Sequence, residues 1–130
     1  MRALLDTSAY SAFMRGHPDV QQALREADEI CLTPIVLGEL RAGFRHGKRP
    51  QKNEAELRTM LASPRVKVVD VDAETADRYA AILNSLWDSR TPIPTNDIWI
   101  AASAMQHGLR ILTTDPHFGK VPQVLVDCFT

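Results

Sequence analysis

The sequence has no long hydrophobic run, only two cysteines and almost no net charge. None of its apolar stretches approaches the roughly 20 residues needed to cross a bilayer, so we do not expect a membrane protein. Cys31 and Cys128 lie far apart among apolar neighbours, and we expect two buried, reduced thiols. Because the net charge is −1, an anionic partner would need a local basic patch or bound cations to be attracted.

The segment from Met1 to Asp6 does not have the pattern of a signal peptide, because an acid interrupts its apolar run almost at once. We therefore expect a cytoplasmic protein. A chain of 130 residues is suited to a single domain, residues 1–130, which can bury about two-thirds of its unfolded surface. The hydrophobic fraction of 45% and the charged fraction of 24% are typical of a soluble globular protein.

Short apolar segments with strand character alternate with segments of helical periodicity along the chain. This alternation predicts an α/β fold with a parallel sheet. The predicted strands are residues 3–5, 29–32, 66–69, 110–113 and 124–126. The predicted helices are residues 7–14, 19–27, 34–47, 50–61, 73–87 and 96–107. Capping residues precede several of them, as Thr33 does before Pro34 and Asp72 before Ala73.

Four acidic residues lie where a solvated surface does not explain them well. Asp6 and Asp115 each follow a predicted buried strand. Asp97 lies in the first turn of the most apolar helix, and Glu39 lies within the apolar segment 35–40. Ligands of open α/β sheets bind beyond the carboxyl ends of the strands, so we expect all four side chains to share one crevice.

Each of these acids also has a purely structural interpretation. Asp6 can simply cap the first helix, and Asp115 can form a turn with Pro116. Asp97 can complement a helix dipole, an effect of roughly 0.3–1 kcal/mol, and Glu39 can point into water. Taken singly, these interpretations are favoured for all but Glu39. The shared position at strand-to-helix transitions favours a common site.

Four carboxylates in one crevice repel one another, and a divalent cation is the usual compensation. Oxygen ligands select Mg²⁺ or Mn²⁺ over Zn²⁺. Such an ion can activate a water molecule and neutralise charge on a phosphate group. The histidines have no ligand-like spacing, and we interpret each as a surface or structural residue. They are His17, His46, His107 and His117.

The segment 41–58 has six basic side chains against two acidic ones. A run of this kind is either a solvated helix face or, next to Glu39, a surface that contacts phosphates. The candidate phosphate contacts are Arg41, Arg45, Lys48 and Arg49.

Five segments, in order along essentially the whole chain, resemble the PIN-domain family and, within it, the VapC-type toxins of prokaryotic toxin–antitoxin pairs. They are Leu4–Ser8, Thr33–Leu40, Ala76–Ala80, Asn96–Ala102 and Leu112–Phe118. Each segment alone is a weak signal, but together they are specific. The resemblance implies a three-layer α/β/α sandwich with a mostly parallel central sheet, and metal-dependent endonucleolytic cleavage of RNA.

The resemblance also implies roles for individual residues. The family's acidic quartet corresponds to Asp6, Glu39, Asp97 and Asp115, and its site-lining polar positions to Thr7 or Ser8, Asn96 and Thr113. A homodimer is implied, together with an antitoxin whose tail blocks the site, often with an arginine. Trp99 stands where an aliphatic residue is more usual. His117 lies where some members have an extra acid, which leaves the position of a second metal open.

The sequence therefore predicts an endoribonuclease that uses one or two Mg²⁺ or Mn²⁺ ions. Asp6, Asp97 and Asp115 are the expected metal ligands, and Glu39 either ligates a metal or orients the attacking water. The family resemblance implies products with 5′-phosphates. One alternative is a non-cleaving module that binds RNA or protein, which the loss of an acid would favour. The other is a phosphotransfer domain of the receiver type, but adjacent acids after the first strand are lacking.

Overall fold

The computed structural model describes residues 1–130 and contains one parallel sheet of five strands. The strands are β1 (Arg2–Leu5), β2 (Glu29–Leu32), β3 (Val66–Val68), β4 (Arg110–Thr113) and β5 (Leu125–Cys128). The helices are α1 (Thr7–Met14), α2 (Pro18–Glu26), α3 (Pro34–His46), α4 (Pro50–Leu61), α5 (Ala73–Ser89) and α6 (Thr95–His107). A short 3₁₀ helix, Pro116–Lys120, lies between β4 and β5. The predicted three-layer α/β/α class is confirmed, with every strand pair parallel.

The strand order is β3-β2-β1-β4-β5, which places β1 at the centre of the sheet. Leu4 of β1 lies opposite Cys31 on one side and Ile111 on the other, and all three side chains are fully buried. Parallel strands connected through helices are covered on both faces, which explains why the three central strands are apolar and do not alternate. The three central strands and the helices packed on them form the core.

Side-chain caps begin several helices close to the residues that the sequence indicated. The backbone N–H groups of Ala9, Val36 and Thr75 donate to the side chains of Asp6, Thr33 and Asp72, respectively. Such caps satisfy backbone donors that the first helical turn leaves free. Gly108 ends α6 in the left-handed conformation, with φ of 66°, which glycine adopts without a steric penalty.

The unusual Trp99 of α6 has a packing role. Its ring stacks on Tyr79 of α5, with ring centroids 4.2 Å apart. An offset aromatic pair of this kind adds roughly 0.5–1.5 kcal/mol beyond the area that it buries. The pair therefore helps to hold α6, which carries Asp97, against α5.

The expectation of two buried thiols is wrong for one of them. Cys31 in β2 is buried, but Cys128 is exposed at the end of β5. The reason is that β5 is an edge strand, paired with β4 alone, and Leu125 at its start is also largely exposed. Neither cysteine forms a disulfide.

None of the helices combines the length and the apolar character that a membrane span requires.

Candidate active site

The sheet topology brings Asp6 and Asp115 to the same edge. Asp6 directly follows β1, and Asp115 lies two residues beyond β4. These two strands are neighbours, with Leu5 opposite Leu112, and the Asp6 N–H donates to the Leu112 carbonyl at 3.3 Å. The carboxyl ends of the central strands therefore deliver both acids to one place, although 109 positions separate them in the sequence (115 − 6).

Asp6 is the most enclosed of the four acids, with 4% of its surface exposed. Its carboxylate accepts hydrogen bonds from the hydroxyls of Thr113 at 2.6 Å and Ser8 at 2.8 Å, and from the Ala9 N–H at 2.8 Å. Burial raises the pKa of Asp6, the three donors oppose that rise, and the nearby charge of Asp115 adds to it. The carboxylate is thus held in a fixed orientation at some cost in desolvation.

Glu39 is held from two other helices. The Thr7 hydroxyl of α1 donates to its Oε1 at 2.6 Å, and the Asn96 side-chain amide of α6 approaches its Oε2 at 3.3 Å. The sequence left Thr7 and Ser8 as alternatives for lining the site. Both line it, because Thr7 contacts Glu39 whereas Ser8 contacts Asp6.

Asp97 and Asp115 meet around a histidine. Nδ1 of His117 lies 3.2 Å from Oδ2 of Asp97 and 3.0 Å from Oδ1 of Asp115. Burial raises the pKa of Asp97, the contact with His117 opposes that rise, and the charges of Asp115 and Asp6 add to it. These mutual effects show that Asp6, Asp97 and Asp115 are close enough to repel one another.

The sequence pattern led us to interpret His117 as a surface or structural residue, whereas the structure places its ring against Asp97 and Asp115. The absence of ligand-like spacing among the histidines gave no reason to single it out. The sequence signal that could have indicated a site residue was the position of His117 two residues after Asp115, where some members of the family have an extra acid. The short 3₁₀ helix begins where the sequence indicated a turn at Asp115-Pro116, and it directs the ring of His117 toward Asp97.

Hydrogen bonds join Asp6, Ser8, Thr113 and Asp115 into one network. The Thr113 hydroxyl, which donates to Asp6, also accepts from the Asp115 N–H at 2.8 Å. The Ser8 hydroxyl accepts from the Thr114 N–H at 2.9 Å. The loop after β4 is therefore fastened to the start of α1.

The donor set is suited to a divalent cation. The ligand atoms offered by Asp97, Asp115 and His117 lie within 4.8 Å of one another, and Asp6 interacts electrostatically with both aspartates. Carboxylate oxygens with one imidazole nitrogen are ligands for hard to borderline divalent ions. A bound cation would also offset the repulsion between acids that adds to the effect of burial on the pKa of Asp6 and Asp97.

The basic surface beside the site is partly neutralised. Arg41 pairs with Glu54 through two contacts of 3.1 and 3.2 Å, and Arg58 contacts the same carboxylate at 3.1 Å. Arg45 lines a groove of about 700 Å³ between α3 and α4, and Lys48 and Arg49 are exposed. Of the four candidate phosphate contacts, Arg41 is therefore the one already engaged by an acid.

The sequence model of the PIN domain matches residues 3–124. This chain belongs to the PIN-domain family. It is similar to Ribonuclease VapC4 of Mycobacterium tuberculosis, with 32% identity over 127 residues, which are 96% of this chain and 95% of that protein. The expected family and its VapC group are thus confirmed.

Solved structures show the same fold. The VapBC-5 structure from Mycobacterium tuberculosis, a member of the VapBC family of toxin–antitoxin systems, matches with a TM-score of 0.76 and 26% identity, covering 98% of both chains. The structure of VapBC2 from Rickettsia felis, bound to a DNA fragment from its promoter, has a TM-score of 0.87. It covers 100% of both chains, and at 24% identity it supports the fold alone.

Proposed function

We propose that this PIN domain is a divalent-metal-dependent endoribonuclease and the toxin of a toxin–antitoxin pair. The observation that carries the proposal is the gathering of Asp6, Glu39, Asp97 and Asp115 at one sheet edge. The similarity to Ribonuclease VapC4 supports RNA as the substrate class.

Asp6, Asp97 and Asp115 are the proposed metal ligands, for one or two Mg²⁺ or Mn²⁺ ions. A divalent ion in such a site supplies an acidified water molecule and neutralises charge on the scissile phosphate. Ser8 and Thr113 hold the Asp6 carboxylate in place, so its oxygens need little reorganisation to bind.

Glu39 either ligates an ion or orients the attacking water. Thr7 and Asn96 donate to its two oxygens from different helices, so the carboxylate is positioned before substrate arrives. Hydrolysis in which water attacks phosphorus and the 3′-oxygen leaves gives one product with a 5′-phosphate and one with a 3′-hydroxyl.

The RNA backbone is proposed to run over the end of α3 and the turn that leads into α4. The exposed side chains of Arg45, Lys48 and Arg49 can offer charge to phosphates, which contributes affinity independently of sequence. Arg41 would contribute only if RNA competes with Glu54 for its guanidinium group.

The remaining proposals concern assembly. Likeness to the VapBC-5 structure supports an antitoxin partner, and we propose that the tail of this partner blocks the acidic site. We further propose that residues 1–130 act as one nuclease domain, that the chain forms a homodimer, and that it acts in the cytoplasm, where its RNA substrates lie.

The test is cleavage of a mixed pool of cellular RNA by the purified chain, with Mg²⁺, Mn²⁺ or excess chelator in parallel. We expect metal-dependent cuts that disappear in Asp97→Asn. Asp77→Asn is the matched control, because Asp77 is an exposed acid of α5 and should cut like the wild type. Folded, metal-binding protein that leaves all RNA intact would contradict the proposal. RNA binding without cleavage would instead support the non-cleaving module.

A further inference from the structure

We propose that His117 is a direct metal ligand of this site, which thereby prefers Mn²⁺ over Mg²⁺. The inference rests on the proposed metal-dependent function and deepens it. It assigns a mixed nitrogen and oxygen ligand set to Asp97, Asp115 and His117, where an all-carboxylate set was expected.

The distances around Nδ1 of His117 carry the first step. They are 3.0 Å to Asp115 Oδ1 and 3.2 Å to Asp97 Oδ2. Ligand atoms at about 2.1 Å from an octahedral ion lie about 3 Å from their neighbours in the coordination shell. Both distances from Nδ1 are therefore those of adjacent ligands around one cation, and the ligand atoms of Asp97, Asp115 and His117 all lie within 4.8 Å of one another.

The position of the His117 backbone is held by contacts on both sides of the residue. The Asp115 carboxylate accepts the His117 N–H at 2.9 Å, and the next residue, Phe118, is fully buried. Together they anchor the 3₁₀ helix on both sides of His117. The His117 side chain nevertheless keeps 39% exposure, so the ring is not sealed from solvent.

The other histidines have different surroundings. His17 caps α2 through its ring nitrogen, and His46 is exposed at the end of α3. His107 is the last residue of α6, whereas Asp97 lies in the first turn of the same helix, so the two residues lie at opposite ends of α6. His117 alone among the four lies within salt-bridge distance of carboxylates.

The chemistry of the imidazole predicts the metal preference. Mg²⁺ favours oxygen ligands and dehydrates reluctantly, whereas imidazole nitrogen is a better ligand for first-row transition ions. Mn²⁺ accepts both carboxylate and imidazole, so replacing one oxygen by Nδ1 favours Mn²⁺ relative to Mg²⁺. His117→Asp should shift that preference back toward Mg²⁺.

The test uses the full chain, with histidine labelled with ¹⁵N and Mn²⁺ as the probe. Pulsed electron paramagnetic resonance should show coupling between Mn²⁺ and ¹⁵N in the wild type and in His46→Gln, and no coupling in His117→Gln. Mn²⁺ affinity should fall by about tenfold or more in His117→Gln, since loss of an outer-shell partner alone costs about 10- to 100-fold. His117→Asp should bind Mg²⁺ more tightly relative to Mn²⁺ than the wild type does.

The outcomes separate this inference from the proposed function. Mn²⁺ binding without nitrogen coupling, or with coupling that persists in His117→Gln, overturns the ligand assignment and leaves the ribonuclease proposal standing. Coupling that depends on His117 in a chain that never cleaves RNA supports the ligand and contradicts the ribonuclease. A wild type that neither binds an ion nor cleaves RNA overturns both.

Discussion

At the scale of single residues, Asp6 has the most demanding surroundings. Its carboxylate is nearly inaccessible, and it caps α1 while also accepting from Thr113 and Ser8. A residue that served only as a cap would need one of these donors. The additional hydroxyls hold the carboxylate in one orientation, in which we propose that its oxygens bind the metal ion.

Asp6→Asn should abolish RNA cleavage and leave the fold intact. Asparagine caps helices as well as aspartate does. The substitution also removes a carboxylate whose negative charge is disfavoured by burial, as its raised pKa indicates. The free energy of unfolding without metal should therefore stay the same or rise at neutral pH. Cleavage assays and urea denaturation in chelator measure the two effects. Full activity with unchanged metal affinity would refute the assigned role.

At the scale of elements, one acid joins three strands at the edge of the sheet opposite the site. Glu29 of β2 contacts Arg2 of β1 at 3.1 Å and Lys67 of β3 at 2.9 Å. The contact with Lys67, followed by those with Cys31 and Arg2, lowers the pKa of Glu29 to about 2. This group stabilises the order of β1, β2 and β3 without touching the acidic cluster.

The contacts of Glu29 with Arg2 and Lys67, here called the Glu29 network, predict that the stability of the protein depends on pH. Because the pKa of Glu29 is lowered in the folded protein, its contacts add to the free energy of unfolding above pH 4.5, the ordinary pKa of a glutamate. This contribution is lost as the pH falls toward about 2. Glu29→Gln should therefore be less stable than the wild type at pH 7, and the difference should shrink between pH 4.5 and pH 2. Urea denaturation of both proteins in chelator gives this difference. A gap that stays constant to pH 2 would argue against the network.

At the scale of the whole molecule, the site is assembled from distant parts of the chain. Asp6 follows β1, Glu39 lies on α3, Asp97 lies in the first turn of α6, and Asp115 follows β4. No local segment can bring these charges together, because only the completed sheet does so. Ion binding at such a site acts on folding as a whole, since the unfolded chain has no comparable site.

Mn²⁺ should therefore stabilise the folded chain. At a free concentration 100 times its Kd, an ion that binds only the native state raises the free energy of unfolding by about 2.7 kcal/mol. Asp97→Asn should lose most of this gain, whereas Asp77→Asn should retain it. Urea denaturation with and without Mn²⁺ provides the comparison. Equal stabilisation of both variants would locate the bound ion elsewhere.

Much of the fold could be read from local chemistry. Buried parallel strands need continuous apolar runs, and helices need caps, so both leave marks within a few residues of where they act. The least accurate strand was β5, predicted at 124–126 and found at Leu125–Cys128. As an edge strand it has weaker burial requirements, and its apolar pattern is correspondingly weak.

The sequence by itself determined the α/β class, the family and the placing of acids at strand ends, because these depend on local pattern and on the direction of parallel strands. Tertiary structure alone decided which polar groups meet. It placed His117 against Asp97, engaged Arg41 with Glu54, and used both Thr7 and Ser8. It also left Cys128 exposed. These contacts depend on distances of a few ångströms between elements far apart in the chain, which no local pattern encodes.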